Sequence, residues 1–199
     1  MRNFGIIVLL GLALGGCASA RSGVSQFQDE PLVSSVQTEA PAQLSPPADL
    51  SKYGPGTIIV NTPERKLYYI DADGRTQKYD VGVGREGFTF SGTGFVGAKQ
   101  EWPAWHAPKE MIARDLRQGK RTPAHVEGGR PDNPLGARAL YIHWMKNGKA
   151  VDSQYRIHGT NQPRSIGGAE SSGCIRMMNY NIIRLYQRVP VGTKVVVLQ

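Results

Sequence analysis

The chain has 199 residues, 24 Lys and Arg against 16 Asp and Glu for a formal charge of +8, and 24 glycines with only two cysteines. That length leaves room for one modest domain, and the acidic residues form no cluster suited to gathering a metal. A basic surface suits anionic partners, of which nucleic acid is the usual one until the start of the chain is read.

Arg2 is followed by an apolar stretch from Phe4 to Leu14 and then by small residues, the pattern of a secretory signal and too short for a spanning helix. Leu14-Gly15-Gly16-Cys17 resembles a bacterial lipobox, in which residues 1–16 are removed and Cys17 becomes the lipid-bearing first residue of the mature protein. Ala18 behind it resembles lipoproteins carried on to the outer membrane, so the expected location is the periplasm, at a membrane surface reached through the lipid anchor. The alternative is ordinary cleavage after Ala18-Ser19-Ala20, with the signal running to residue 20. On either reading Cys17 is acylated or discarded, and Cys174 enters an oxidising compartment as a single free thiol. The signal also takes the chain away from nucleic acid.

Between Arg21 and Leu50, Pro31, Pro41, Pro46 and Pro47 stand among Ser, Gln, Thr and Ala, with few large apolar groups to offset the entropy of ordering. Residues 17–50 therefore read as a flexible tether, whose thirty or so residues span about 30 Å as a coil. The folded domain is expected over residues 51–199.

From Lys52 onward short apolar runs are split by Gly, Asn and Asp, which predicts a mainly β fold. Strands are expected at Thr57 to Asn61 and Lys66 to Ile70, and Asp71-Ala72-Asp73-Gly74 turns the chain into a third at Thr76 to Val83. Further strands are expected at Ala137 to His143, Gln154 to His158 and Lys194 to Leu198. Two short helices are expected, Pro108 to Arg117 and Asn179 to Val189. In the second, Ile182, Ile183, Leu185, Tyr186 and Val189 form an apolar stripe for core packing, and Asn179 or Asn181 can cap the start.

Gly82-Val83-Gly84-Arg85-Glu86-Gly87 matches the dinucleotide-binding pattern, but Phe88 to Gly94 cannot open the helix that would receive a pyrophosphate. These glycines read as bends and loops. His106, His125 and His143 show no ligand spacing with one another or with Cys174, so no metal is expected. Trp102, Trp105 and Trp144 read as packing residues, with stacking on sugar rings as the other use of such side chains.

Cys174 stands in Ser171-Ser172-Gly173-Cys174-Ile175-Arg176-Met177, sixteen residues after His158 of Arg156-Ile157-His158-Gly159-Thr160. One thiol and one imidazole, each beside glycine, are the minimum equipment of a cysteine nucleophile and its base. A buried structural cysteine is the bland alternative, and Ser172, Gly173 and Arg176 are poor company for a core strand. Because a free thiol is only a few per cent thiolate at neutral pH, a base such as His158 is needed to take its proton and return one to a departing amine. Backbone N–H groups of Gly173 and Cys174 are candidate oxyanion donors. Arg176, if the segment is extended, shares the Cys174 side of a strand, where its fork suits a carboxylate; a surface ion pair is its other reading.

The run Tyr155-Arg156-Ile157-His158-Gly159-Thr160-Asn161, then Ile166-Gly167, then Ser171 to Met177 with Asn179, resembles the L,D-transpeptidase catalytic domain, also called the YkuD domain. Val81-Gly82-Val83-Gly84, Glu101-Trp102-Pro103, Asp132-Asn133-Pro134-Leu135-Gly136 and Pro190-Val191-Gly192-Thr193 recur in that family in the same order, and the resemblance covers roughly residues 56–198. It implies a β-sandwich or barrel-like domain with short peripheral helices. It also implies cross-linking of peptidoglycan stem peptides through a Cys174 thioester, with no cofactor. Gly173 is then the oxyanion backbone, and Arg176, Ser172 and Gly159 line the substrate side. Many members carry His where this chain has Ser172, and some carry Ser where it has Gly159, so a backbone carbonyl is expected to orient His158. The basic charge suits both the stem carboxylates and an anionic inner leaflet. Resolution of the thioester by water, giving an L,D-carboxypeptidase, and a non-catalytic wall-binding module remain the alternatives.

Overall fold

A continuous apolar run such as Thr57-Ile58-Ile59-Val60 needs cover on both faces, while pairing on both edges satisfies its backbone groups. A computed structural model describes residues 48–88 and 90–199; the expected signal segment, Cys17 and the tether up to residue 47 lie outside the described residues. In chain order the elements are β1 (Thr57–Asn61), β2 (Lys66–Ile70), β3 (Thr76–Asp80), β4 (Val83–Gly84), β5 (Gly92–Glu101), β6 (Trp105–His106), α1 (Lys109–Arg117), β7 (His125–Val126), β8 (Arg138–Lys146), β9 (Lys149–His158), β10 (Ala169–Ser171), β11 (Ile175–Arg176), α2 (Asn179–Arg188) and β12 (Lys194–Leu198).

Eight strands form one sheet in the order β11-β9-β8-β5-β12-β1-β2-β3, with β4–β10 and β6–β7 as separate pairs. The two ends of the large sheet meet. Gly82, just past β3, donates to the Arg176 carbonyl of β11 at 2.9 Å, and Arg176 N–H returns the bond at 2.8 Å. The sheet thereby closes into a barrel-like wall around one core, in which Ile58, Leu67, Leu140, Ile157, Ile175 and Val195 pack with Ile182, Leu185 and Val189 at α2. Full burial of each such side chain stabilises by about 1.5–3 kcal/mol. The mainly β, barrel-like class expected from the sequence is the fold observed, and β1, β2 and β12 have the boundaries expected of them.

The differences have local causes. Leu50, placed in the tether, is buried with Ile59, Tyr68 and Ile70 on the other face of β1 and β2, so the folded body begins before residue 51. The third strand ends at Asp80 because Gly82 turns to bridge Arg176 and Val83–Gly84 pairs with β10 instead. The ten-residue β5 was not expected: Gly92, Gly94 and Gly97 dilute its pattern, and pairing with β8 and β12 on both edges overrides that weak propensity. Strands β8 and β9 run longer than expected and form a hairpin through Asn147-Gly148, whose φ values of 51° and 73° are those of a type I′ turn. Helix α1 starts after Pro108 and buries none of its residues. Helix α2 has Met178 at its N-cap, because the Asn179 side chain is committed elsewhere.

Candidate active site

Strand β11 runs parallel to β9, with Ile175 opposite Ile157 and Arg176 opposite His158. Both isoleucines are in the core. Alternation along a strand then turns Arg156 and His158 of β9, and Arg176 with Cys174 of the β11 segment, to the opposite face. Continuing the register one step places Cys174 beside Arg156. Nucleophile candidate and base candidate thus occupy one diagonal of a two-by-two patch, and two arginines occupy the other.

His158 is buried, at 4% exposure. Its Nδ1 lies 2.6 Å from the Gly159 carbonyl oxygen, so Nδ1 carries the proton and donates it to that backbone group. Burial lowers the imidazole pKa to about 4; hydrogen bonds to Gly159 and Leu135 backbone oppose this, and the Arg176 and Arg156 charges add to it. The ring is therefore neutral at physiological pH, and its other nitrogen holds the basic lone pair.

Cys174 is half-buried. Burial raises its thiol pKa, while a hydrogen bond from the Arg156 backbone and the charges of Arg156 and Arg176 pull it back. The turn before it is tied by Ser171, whose Oγ donates to the Cys174 carbonyl at 2.6 Å and accepts the Gly173 N–H at 3.1 Å. Gly173 has φ 113°, and a Cβ there would stand 2.6 Å from Tyr155 Cε1. Its N–H, a candidate oxyanion donor from sequence, is thus engaged by Ser171, and the amide of Cys174 donates to no described residue. Ser172 lies 3.5 Å from Arg85 Nη1, a cation that sequence reasoning left out of the site. Arg85 belongs to the glycine-rich run after β4, and only the β4–β10 pairing brings it here.

Asn179 locks the loop behind His158. Its Oδ1 accepts the N–H of Ala137 at 3.0 Å and of Thr160 at 3.1 Å, and its Nδ2 donates to the Thr160 carbonyl at 2.9 Å. Buried Asn133 ties three stretches of chain together in the same way: its Nδ2 donates to the carbonyls of Pro103 and Glu127, each at 2.9 Å, and its Oδ1 accepts Leu135 N–H at 2.8 Å. Beyond this loop a cavity of about 550 Å³ is lined by Asn161, Gln162, Pro163, Arg164, Ser165 and Glu170, which lie between His158 and Cys174 in sequence.

His106 and His125, which showed no ligand spacing, face each other across β6–β7 with Nδ1 atoms 3.3 Å apart, since antiparallel pairing joins positions that linear spacing does not. Among the described residues, no group of three His, Cys, Asp or Glu could hold a metal ion. Trp144 packs edge-on to Phe90 and Tyr155, whereas Trp102 is half exposed rather than packed away.

Residues 55–197 match the family model of the L,D-transpeptidase catalytic domain, YkuD. The chain belongs to that family. As a YkuD-family chain it is 34% identical over 191 residues to the probable L,D-transpeptidase ErfK/SrfK of Escherichia coli, covering 94% of this chain and 56% of that one. It is 37% identical over 141 residues to the probable L,D-transpeptidase YbiS of the same organism, covering 69% and 43%. The chain thus spans about half the length of these curated relatives. Among solved structures, an Ldtfm–avibactam carbamoyl enzyme superposes with TM-score 0.54 at 19% identity, over 74% of this chain and 50% of that one. L,D-transpeptidase 3 of Mycobacterium tuberculosis with a faropenem-derived adduct gives 0.54 at 15% identity, over 73% and 61%. At such identities the likeness is one of fold, and that fold is the L,D-transpeptidase catalytic one.

Proposed function

We propose that this chain is a peptidoglycan L,D-transpeptidase that uses Cys174 as nucleophile and His158 as base. The observation that carries the reading is the register of β9 and β11, which sets thiol and imidazole one diagonal step apart on one face, both neutral at rest. A neutral pair favours proton transfer during attack over a preformed thiolate–imidazolium pair.

In the first step the sulfur attacks the amide carbonyl that joins a diamino acid centre to a terminal D-Ala, and the thiol proton passes to His158. The Cys174 N–H receives the oxyanion. The C–N bond then breaks, His158 returns its proton to the departing amine, and a thioester remains. In the second step an amine of another stem peptide attacks the thioester and gives its proton to His158, and the sulfur leaves to be reprotonated. Water in place of that amine makes the outcome L,D-carboxypeptidase trimming. Arg176, at the substrate side of the patch, pairs with a stem carboxylate. Ser172, beside Arg85, lies on the substrate side, and Gly159 acts through the carbonyl that orients His158. The reaction as written needs no cofactor. The location that fits this substrate is the periplasm, with lipid on Cys17 holding the chain at the outer membrane through the tether.

The test incubates the full chain with purified tetrapeptide muropeptides and follows products and intact mass. Wild type should release D-Ala and form cross-linked dimers, and Cys174→Ala should do neither. Release of D-Ala without dimers would assign the carboxypeptidase; no release, with no thioester mass on Cys174, would assign the wall-binding module.

A further inference from the structure

Strand β9 is irregular where it approaches the site. Its pairing with β8 slips between Tyr141 and His143, Tyr141 facing Arg156 and His143 facing Asp152. Within the extra residues Gln154 takes φ 66°, a left-handed conformation that a non-glycine side chain holds only when its surroundings enforce it. The enforcing group is Asp152. Its Oδ1 accepts the Gln154 N–H at 2.8 Å and Arg156 Nη1 at 2.7 Å, and its Oδ2 accepts Arg156 Nη2 at 2.8 Å. The same guanidinium lies 4.3 Å from the centre of the Tyr141 ring. One carboxylate therefore fixes both the bulge and the arginine two residues beyond it. Burial would raise its pKa, but the Arg156 and Gln154 hydrogen bonds outweigh this and hold it below the ordinary range, so the clamp is ionised at neutral pH.

Arg156 is also where the β9–β11 ladder ends. The neighbouring strand begins only at Ile175, so continuing the register past Ile157 brings Cys174 beside Arg156, and the Arg156 backbone and charge both pull the thiol pKa down against burial. Bulges that re-aim one residue beside a reactive group are a recurrent device of β-proteins.

We propose that the Asp152 bulge clamp is a positioning device for the nucleophile, holding Arg156 so that its backbone N–H and its positive charge both act on the Cys174 sulfur. This rests on the reading of Cys174 as nucleophile, and Arg156 is a positioning residue in it, acting through the thiol. The charged and titratable groups around that thiol are Tyr155, Arg156 and His158 from β9, Arg176 from β11, and Arg85 beside Ser172; Asp152 and Tyr141 surround Arg156 itself, and His143 faces Asp152 across the β8–β9 pair.

The test uses alkylation of the full chain by iodoacetamide, followed by intact mass from about pH 6 to about pH 10, because only the thiolate reacts. Arg156→Gln should react roughly five- to tenfold more slowly near neutral pH, with the profile displaced upward and the same plateau at high pH. Asp152→Glu, which keeps the negative charge but lengthens the arm that clamps the bulge, should move the profile the same way by less, and it carries the test if Arg156→Gln fails to fold. Arg156→Lys should fall between Gln and wild type. Profiles that superimpose on wild type, or rates changed by one factor at every pH, overturn the proposal. Muropeptide turnover is read separately. Shifted profiles with no wild-type turnover would leave the clamp standing and remove the transpeptidase, whereas normal turnover with unshifted profiles would do the reverse.

Discussion

The side-chain oxygen of Asn179 occupies the space that a Cβ on Gly159 would need, 2.1 Å from its ideal position. Helix start and His158 loop are thus interlocked, because the oxygen that excludes the Cβ is the one that accepts the Ala137 and Thr160 N–H groups.

Gly159→Ala should destabilise by about 2 kcal/mol or more, as overpacking against a fixed polar atom. Asn179→Ala should cost about 1–3 kcal/mol by orphaning those buried N–H groups. In the double variant the clash and the lost bonds share one atom, so the combined loss should fall short of the sum by at least about 0.5 kcal/mol. Urea denaturation of all four proteins checks this; strict additivity would mean that the two residues do not compete for that space.

The depressed pKa of His158 predicts an acid limb. Its folded value is about 4 against an ordinary value of 6.5, so between those values the unfolded chain binds more protons than the folded one. Stability from this group is fully present above about pH 6.5 and is lost as pH falls towards about 4, by roughly 3 kcal/mol in all. His158→Gln should remove that much of the difference between neutral and acid unfolding midpoints. Equal acid sensitivity in both proteins would show the imidazole to be solvated. Because the ring stays neutral down to that range, turnover should also lack the usual fall near pH 6.5, and His158→Ala should lower it by about a hundredfold or more.

Sequence and structure agree best where a side chain's chemistry is local. Residue type and glycine neighbours single out Cys174 and His158 as candidates, and the register of β9 and β11 puts them on one face; β1, β2 and β12 stand out because Val, Ile, Leu and Tyr follow one another in short continuous runs. What stayed hidden is held by distant pairs. Asn179 read as a helix cap because its partners at 137 and 160 are remote in sequence. Arg85 read as part of a loop because only β4–β10 pairing brings it to Ser172. Asp152 carried no signal, since its importance lies in a backbone bulge that no residue pattern announces.

Lys99 is a stability determinant away from the candidate chemistry. Its Nζ donates to the carbonyls of Tyr186 at 2.6 Å and Val189 at 2.7 Å, satisfying two acceptors at the end of α2 and placing a cation at the negative end of the helix. Burial lowers its pKa, with the Glu101 charge opposing. Lys99→Met keeps the stem but leaves both carbonyls unpaired, and should cost about 1–3 kcal/mol. Thermal unfolding measures the loss, and turnover per folded molecule should stay within about twofold of wild type.

Ser171 engages one of the two backbone amides proposed as oxyanion donors. Its hydroxyl joins the Gly173 N–H to the Cys174 carbonyl, so the Gly173 donor is occupied while the turn is intact. Ser171→Ala frees that donor and loosens the turn that aims the thiol. If the Cys174 N–H is the working donor, turn geometry dominates, and kcat should fall about tenfold or more with KM little changed, since the lost interaction belongs to the transition state. If Gly173 is the working donor, its release compensates and kcat should hold or rise. Steady-state kinetics on a defined tetrapeptide separate the two outcomes. A deeper fall in Ser171→Ala than in Ser172→Ala, whose 3.5 Å contact with Arg85 is weak, would place the effect in the turn rather than in general disturbance of the segment.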